Sequence, residues 1–150
     1  MPEFLLLLSL ASSCYMTGLI WFVQRVHYAQ FPGVGLEGWT DYHARHTRAT
    51  GTVVAPIMLV EIASAMALLV IRPDGMPAWT AWTGAALVAV VWASTFFLQV
   101  PAHLKLGVGF DAGQCWKLLV TNWIRTVAWT ARAAVTGYAT WLVLSRTSLV

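Results

Sequence analysis

The chain has 150 residues, of which 59% are hydrophobic and only 10% are charged. Soluble domains carry charge on about a quarter of their residues, so this composition excludes an ordinary water-exposed surface. The formal net charge of +3 is small, and we expect no nucleic-acid partner. The composition predicts a single integral membrane domain, residues 1–150, with the lipid bilayer as its surroundings.

The apolar residues fall in four runs, and each is long enough for a helix to cross a hydrocarbon core that needs roughly 20 residues. The predicted spans cover about residues 4–27, 47–71, 78–103 and 116–144. The first run lacks the basic start of a secretory signal, so we expect it to remain as a helix. We predict an all-α fold, a bundle of four transmembrane helices, with a short interfacial helix before the second span.

Basic residues are distributed unevenly between the two ends of the predicted bundle. With four spans, both termini lie on one side, and the linkers after the first and third helices lie on the other. The linker side carries most of the lysines and arginines: Arg25, Arg45, Arg48, Lys105 and Lys117. Because positive residues favour the cytoplasmic side, we predict a multi-pass protein of the bacterial inner membrane with both termini outside.

All four histidines fall near the predicted cytoplasmic ends of the first three helices: His27, His43, His46 and His103. His43 and His46 are three residues apart, so they share a helix face. Bundle cores commonly hold metal and haem sites, and imidazole suits iron and copper. We predict that these histidines bind iron, copper or haem b. Interfacial hydrogen bonding and acid–base chemistry without a metal are the alternatives.

Glu61 lies within the second apolar run, where a carboxylate is costly and is by default a functional-site hypothesis. It follows His43 by 18 residues, which on a helix separates the two by about 27 Å, so they cannot bind one ion. Arg132 lies at a depth comparable with Glu61, and Arg125 lies nearer the middle of the membrane. We predict a buried charge network of Glu61, Arg125 and Arg132, with either a packing or a substrate-binding role.

Three short motifs lie in different parts of the chain: Tyr42-His-Ala-Arg-His46, Gln99-Val-Pro-Ala-His103 and Thr121-Asn-Trp-Ile-Arg-Thr126. Together they resemble a family of small, uncharacterised bacterial four-helix membrane proteins over most of the chain. More distantly, the Pro-x-His of the third helix and the Asn-Trp-x-Arg of the fourth are similar to anthrone oxygenase-like membrane proteins. That resemblance implies oxygenation of polycyclic aromatic substrates, and it carries over His103, Asn122 and Arg125.

The function we predict is a membrane metal- or haem-binding oxidoreductase acting on a lipophilic, aromatic or quinone-like substrate. Arg125, Asn122 and Gln99 would orient the substrate oxygen as the catalytic residues. The alternative is a non-enzymatic haem-, metal- or pigment-binding membrane protein, or a small subunit of a larger membrane complex. A homo-oligomer is also left open.

Overall fold

In a computed structural model that describes residues 1–147, the chain is helical and these residues form no β-strand. The prediction of an all-α fold is confirmed. The helices are α1, Pro2–Phe22; α2, Trp39–Val70; α3, Ala78–Ser94; α4, Val100–Leu106; and α5, Ala112–Thr147. A π-helical turn, Thr95–Gln99, joins α3 to α4 without a break, so the bundle consists of four long rods.

Three of the rods are long and apolar enough to cross a membrane: Pro2–Gly33, Trp39–Val70 and Ala78–Leu106. The fourth predicted span lies in α5, which is not among these three. Apolar side chains are nevertheless exposed on the outside of all four rods, as at Phe4, Leu59, Phe97, Leu104 and Val127. Helix α5 turns Arg125 and Arg132 inward, and both side chains are buried.

The four rods form a closed ring in which short linkers join neighbours. Helix α1 packs on α2 and α5, and α3 packs on the same two helices. Short connections make sequential helices antiparallel, so the linkers before α2 and before α5 lie at one end of the bundle. We call this the linker end; the turn between α2 and α3 lies at the opposite end.

The predicted interfacial helix before the second span is wrong, because α2 runs unbroken from Trp39 to Val70. Trp39 does not lie at the bundle surface but is fully buried at the linker end. Its indole Nε1 donates to the Leu106 carbonyl at 2.7 Å, and Phe31 and Phe110 pack edge-on against its ring. Burial of this large ring holds the first turns of α2 inside the bundle and in line with the rest of the helix.

Candidate functional site

The structure brings all four predicted histidines together at the linker end, from three different rods. The Nε2 atom of His27 lies 2.7 Å from Nδ1 of His46. The Nε2 atom of His43 lies 3.1 Å from Nδ1 of His103. The rings of His46 and His103, one from each pair, have centroids 5.6 Å apart. The two pairs therefore form one cluster, which we call the histidine cluster.

Aromatic rings surround the histidine cluster. Trp39 stacks on His43 with ring centroids 5.5 Å apart, and Tyr42 stacks on His46 with centroids 6.4 Å apart. Phe31 packs edge-on against His46 at 5.2 Å. These rings offer the imidazoles few polar partners, and two of the hydrogen bonds of the cluster run between its own members.

Two hydroxyl groups complete the hydrogen bonding of the cluster. The Tyr28 hydroxyl lies 3.1 Å from Nε2 of His103, so both ring nitrogens of His103 have a partner. The Thr50 hydroxyl lies 3.1 Å from Nδ1 of His46. Tyr28 was not predicted as a site residue. Its four-residue spacing from Gln24 and its place beside His27 were the available signals.

The cluster has a donor chemistry suited to a transition metal, but the nitrogens do not converge on one point. Imidazole nitrogens bind such ions at about 2.0–2.1 Å and must aim at a common centre. Within residues 1–147, no group of three or more His, Cys, Asp or Glu side chains is placed to hold a metal ion. The imidazoles face one another in pairs, so ligation would require ring rotation. Metal or haem binding by these residues stays a prediction.

A cavity of about 790 Å³ adjoins the cluster and lies between α2 and the α3–α4 rod. Its polar end is formed by five side chains: Tyr28, His43, His46, His103 and Arg125. Its walls are apolar and include Met58, Trp92 and Phe96. Leu59 and Leu104 also line it and are exposed on the outside of the bundle, so the cavity reaches the apolar outer surface.

Arg125 is the one arginine that lies at the buried end of this cavity among the described residues. Its side chain is 7% exposed, and its Nε atom has no hydrogen-bond partner. The guanidinium lies beside the Tyr28 hydroxyl and 5.0 Å from the ring centroid of Trp129. The structure does not pair Arg125 with Glu61: within residues 1–147 the salt bridge of Glu61 is with Arg132, about 10 Å further along α5.

Glu61 and Arg132 form the buried ion pair that was predicted. Arg132 Nε donates to Glu61 Oε1 at 3.1 Å, and Trp129 Nε1 donates to Glu61 Oε2 at 2.7 Å. The remaining guanidinium nitrogens of Arg132 donate to the Gly84 carbonyl and the Ser9 hydroxyl, each at 3.0 Å. None of these residues lines the cavity. The ion pair therefore joins all four rods, which is a packing role.

Of the three predicted catalytic residues, Arg125 and Gln99 line the cavity and Asn122 does not. Asn122 Nδ2 donates to Gln24 Oε1 at 2.9 Å. Gln99 Nε2 donates to the Thr121 hydroxyl, and its Oε1 accepts from Ser94, both at 3.0 Å. These amides connect helices to one another. Arg125 is the predicted residue that both lines the cavity and has an unpaired polar atom, its Nε; the Oδ1 atom of Asn122 is also unpaired, but Asn122 does not line the cavity.

Comparison of the chain with protein-family models, with curated proteins and with solved structures returns no match. The resemblance to anthrone oxygenase-like proteins therefore stays a prediction.

Proposed function

We propose that the protein is a four-span protein of the bacterial inner membrane, with its linker end in the cytoplasm and both termini outside. Three rods have the length and composition to span a bilayer, and α5 buries its two central arginines away from the outer surface. Arg25, Arg45, Arg48 and Lys105 are exposed at the linker end, which supports this orientation.

We further propose that the protein is an oxidoreductase acting on a lipophilic, aromatic or quinone-like molecule bound in the cavity. The observation that carries the proposal is one cavity with two unlike ends. Its apolar walls reach the outer surface, while its buried end presents Arg125, Tyr28 and three members of the histidine cluster, His43, His46 and His103. Ligand pockets combine apolar walls with a few placed polar groups in this way. A molecule dissolved in the bilayer would enter sideways between α2 and α4.

The polar end offers the substrate oxygen both a charge and proton donors. Arg125 would stabilise negative charge that develops on that oxygen, because a guanidinium in a water-poor site acts strongly at short range. The Tyr28 hydroxyl lies beside Arg125 and can hydrogen-bond the same oxygen. Trp92 and Phe96 have ring centroids 5.3 Å apart on the wall, where a flat ring could pack against them.

Such a reaction needs a redox group that accepts or supplies electrons. The histidine cluster is the set of side chains in this protein that would bind it. Iron, copper or haem b held by two or more of the four imidazoles would supply that chemistry when bound. His43 and His103 line the cavity, so a group held there would lie next to the substrate. The present pairing of the nitrogens would have to open for this group to bind.

The proposal is tested on detergent-purified protein by metal analysis, an absorption spectrum and turnover of a quinone or a polycyclic phenol. We expect stoichiometric iron or copper, or a haem spectrum, that is lost in His43→Ala and His46→Ala and kept in Tyr42→Phe. Binding of the molecule without turnover would favour the non-enzymatic carrier. A colourless, metal-free protein that binds neither molecule would refute the proposal.

A further inference from the structure

Helix α5 carries two buried arginines, and the groups around their side chains differ. Arg132 is 1% exposed and pairs with Glu61, and each nitrogen of its guanidinium has an acceptor. Arg125, seven residues earlier, is buried almost as deeply, but no carboxylate lies within 4.0 Å of it among residues 1–147. Its Nε–H is also without an acceptor. The positive charge of Arg125 is therefore uncompensated within the described part of the protein.

The neighbours of Arg125 cannot supply the missing negative charge. Arginine keeps its proton in proteins, so a buried guanidinium must find a counter-charge or bear the cost of desolvation. The other ionisable or polar side chains that line the cavity are Tyr28, His43, His46, His103, Thr47, Thr50, Thr95, Gln99 and the exposed Arg48. A neutral phenol, imidazole, hydroxyl or amide carries no net negative charge, and no Asp or Glu lines the cavity within the described residues.

We propose that the cavity binds a lipophilic acid as its anion, with one oxyanion, a phenolate or a carboxylate, paired to Arg125. The apolar body of the molecule would lie along Met58, Trp92 and Phe96 toward the outer surface. This inference rests on the proposed function and narrows its substrate class from any oxygen-bearing lipophile to an anionic one. The buried guanidinium of Arg125, which lines the cavity without a carboxylate partner among residues 1–147, and the absence of Asp and Glu from the described cavity lining carry it.

A planar oxyanion suits this site better than a compact inorganic ion. Guanidinium donates two parallel hydrogen bonds to a carboxylate, and it also pairs with a phenolate oxygen. The Tyr28 hydroxyl beside Arg125 can donate a further bond to the same anion. The apolar walls would leave an inorganic anion poorly solvated, whereas they add burial energy to a ligand with an apolar body.

The test compares each acid with its methylated form in binding to the detergent-purified protein, read by quenching of tryptophan fluorescence for the naphthoquinones and by displacement of a bound naphthoquinone for the fatty-acid pair. One pair is a 3-alkyl-2-hydroxy-1,4-naphthoquinone, which is an anion at neutral pH, and its 2-methoxy counterpart. The other pair is dodecanoate and methyl dodecanoate. We expect the anion to bind about 10- to 100-fold more tightly than the methylated form, as a charge-assisted hydrogen bond requires. The ratio of affinities between an acid and its methylated form is compared for the two pairs. The pair with the larger ratio shows whether the site prefers a phenolate-type oxyanion or a carboxylate.

Variants at two arginines of the cavity separate the buried charge from the exposed one. Arg125→Gln should abolish the preference for the anion, and Arg125→Lys should keep part of it. Arg48→Gln is the matched control, because Arg48 lines the same cavity but is exposed to solvent. It should change the preference by less than about threefold, since an exposed charge interacts weakly. Because Arg125→Gln removes an uncompensated buried charge, ligand-free protein should unfold at the same temperature as wild type or higher.

The outcomes distinguish this inference from the function on which it rests. Equal affinity of the wild-type protein for the anion and its methylated form would overturn the anion site and leave a neutral quinone site in place. A preference that survives Arg125→Gln would overturn the role of Arg125. If the wild-type protein binds none of the four molecules, the proposed function fails, and the anion site fails with it.

Discussion

Replacing Glu61 with glutamine tests whether the buried ion pair holds the four rods together. In Glu61→Gln, Arg132 keeps its bonds to Gly84 and Ser9 but loses the charge that compensates it. The new amide also presents a donor where Glu61 accepted from both Arg132 and Trp129. Breaking one partner out of a buried pair costs about 3–5 kcal/mol, so we expect the free energy of unfolding to fall by that amount.

The two single variants should differ because the two partners differ chemically. In Arg132→Met, the carboxyl group left behind can take up a proton and become neutral, and it keeps the Trp129 bond. In Glu61→Gln, the arginine cannot lose its charge. Arg132→Met should therefore cost less, about 1–3 kcal/mol. The double variant Glu61→Gln with Arg132→Met should lie close to wild type, because removal of both charges also removes their desolvation.

The measurement is reversible unfolding of the protein in mixed micelles with increasing denaturing detergent, followed by tryptophan fluorescence. Glu37→Gln is the control, since Glu37 is an exposed carboxylate in the linker before α2. The reasoning is refuted if Glu61→Gln loses no more stability than Glu37→Gln. It is also refuted if the double variant loses the sum of the two single losses, because additive losses mean that the partners do not interact.

Two further predictions concern the linkers. Gly35 and Gly75 have φ of +83° and +87°, so an alanine at either should cost about 1–2 kcal/mol in the same unfolding measurement. Gly75→Ala should cost more stability, because its Cβ would lie 2.7 Å from Cδ of Arg146, whereas a Cβ at position 35 would have nothing within 4 Å. Equal losses of stability in the two variants would mean that Arg146 moves aside freely. In a cysteine-free background, Leu36→Cys and Asp74→Cys should react with a membrane-impermeant thiol reagent from opposite sides of the membrane, with Leu36→Cys on the cytoplasmic side. Labelling of both from one side would contradict the proposed topology.

Distances along one helix were predictable, since the rise per residue is constant. The 18-residue separation between His43 and Glu61 already assigned them to different sites, and in the structure they belong to the histidine cluster and the ion pair. The same reasoning placed Arg132 at the depth of Glu61, where it is found. The convergence of the four histidines also followed from their shared end of the bundle.

Contacts between helices were less predictable, because they depend on rotation about each axis and on which side chains fill the space between rods. Arg125 and Arg132 lie on the same face of α5, but only one carboxylate among residues 1–147 is within reach, and it meets Arg132. Asn122 lies one turn from Arg125, yet it bonds to Gln24 of the first rod instead of facing the cavity. The periodic spacing of polar residues along one helix does not show which side chain of another helix each of them will contact.

The sequence by itself determined the helical rods, their apolar outer faces and the depth of each ionisable residue, because these follow from local composition and a fixed helical rise. Only the tertiary structure decided that α2 continues through Trp39, which pairs of imidazoles face each other and which arginine has no carboxylate partner among residues 1–147. Those outcomes come from burial and packing among residues far apart in the chain. The uncompensated charge of Arg125 is the one on which the proposed anion site depends.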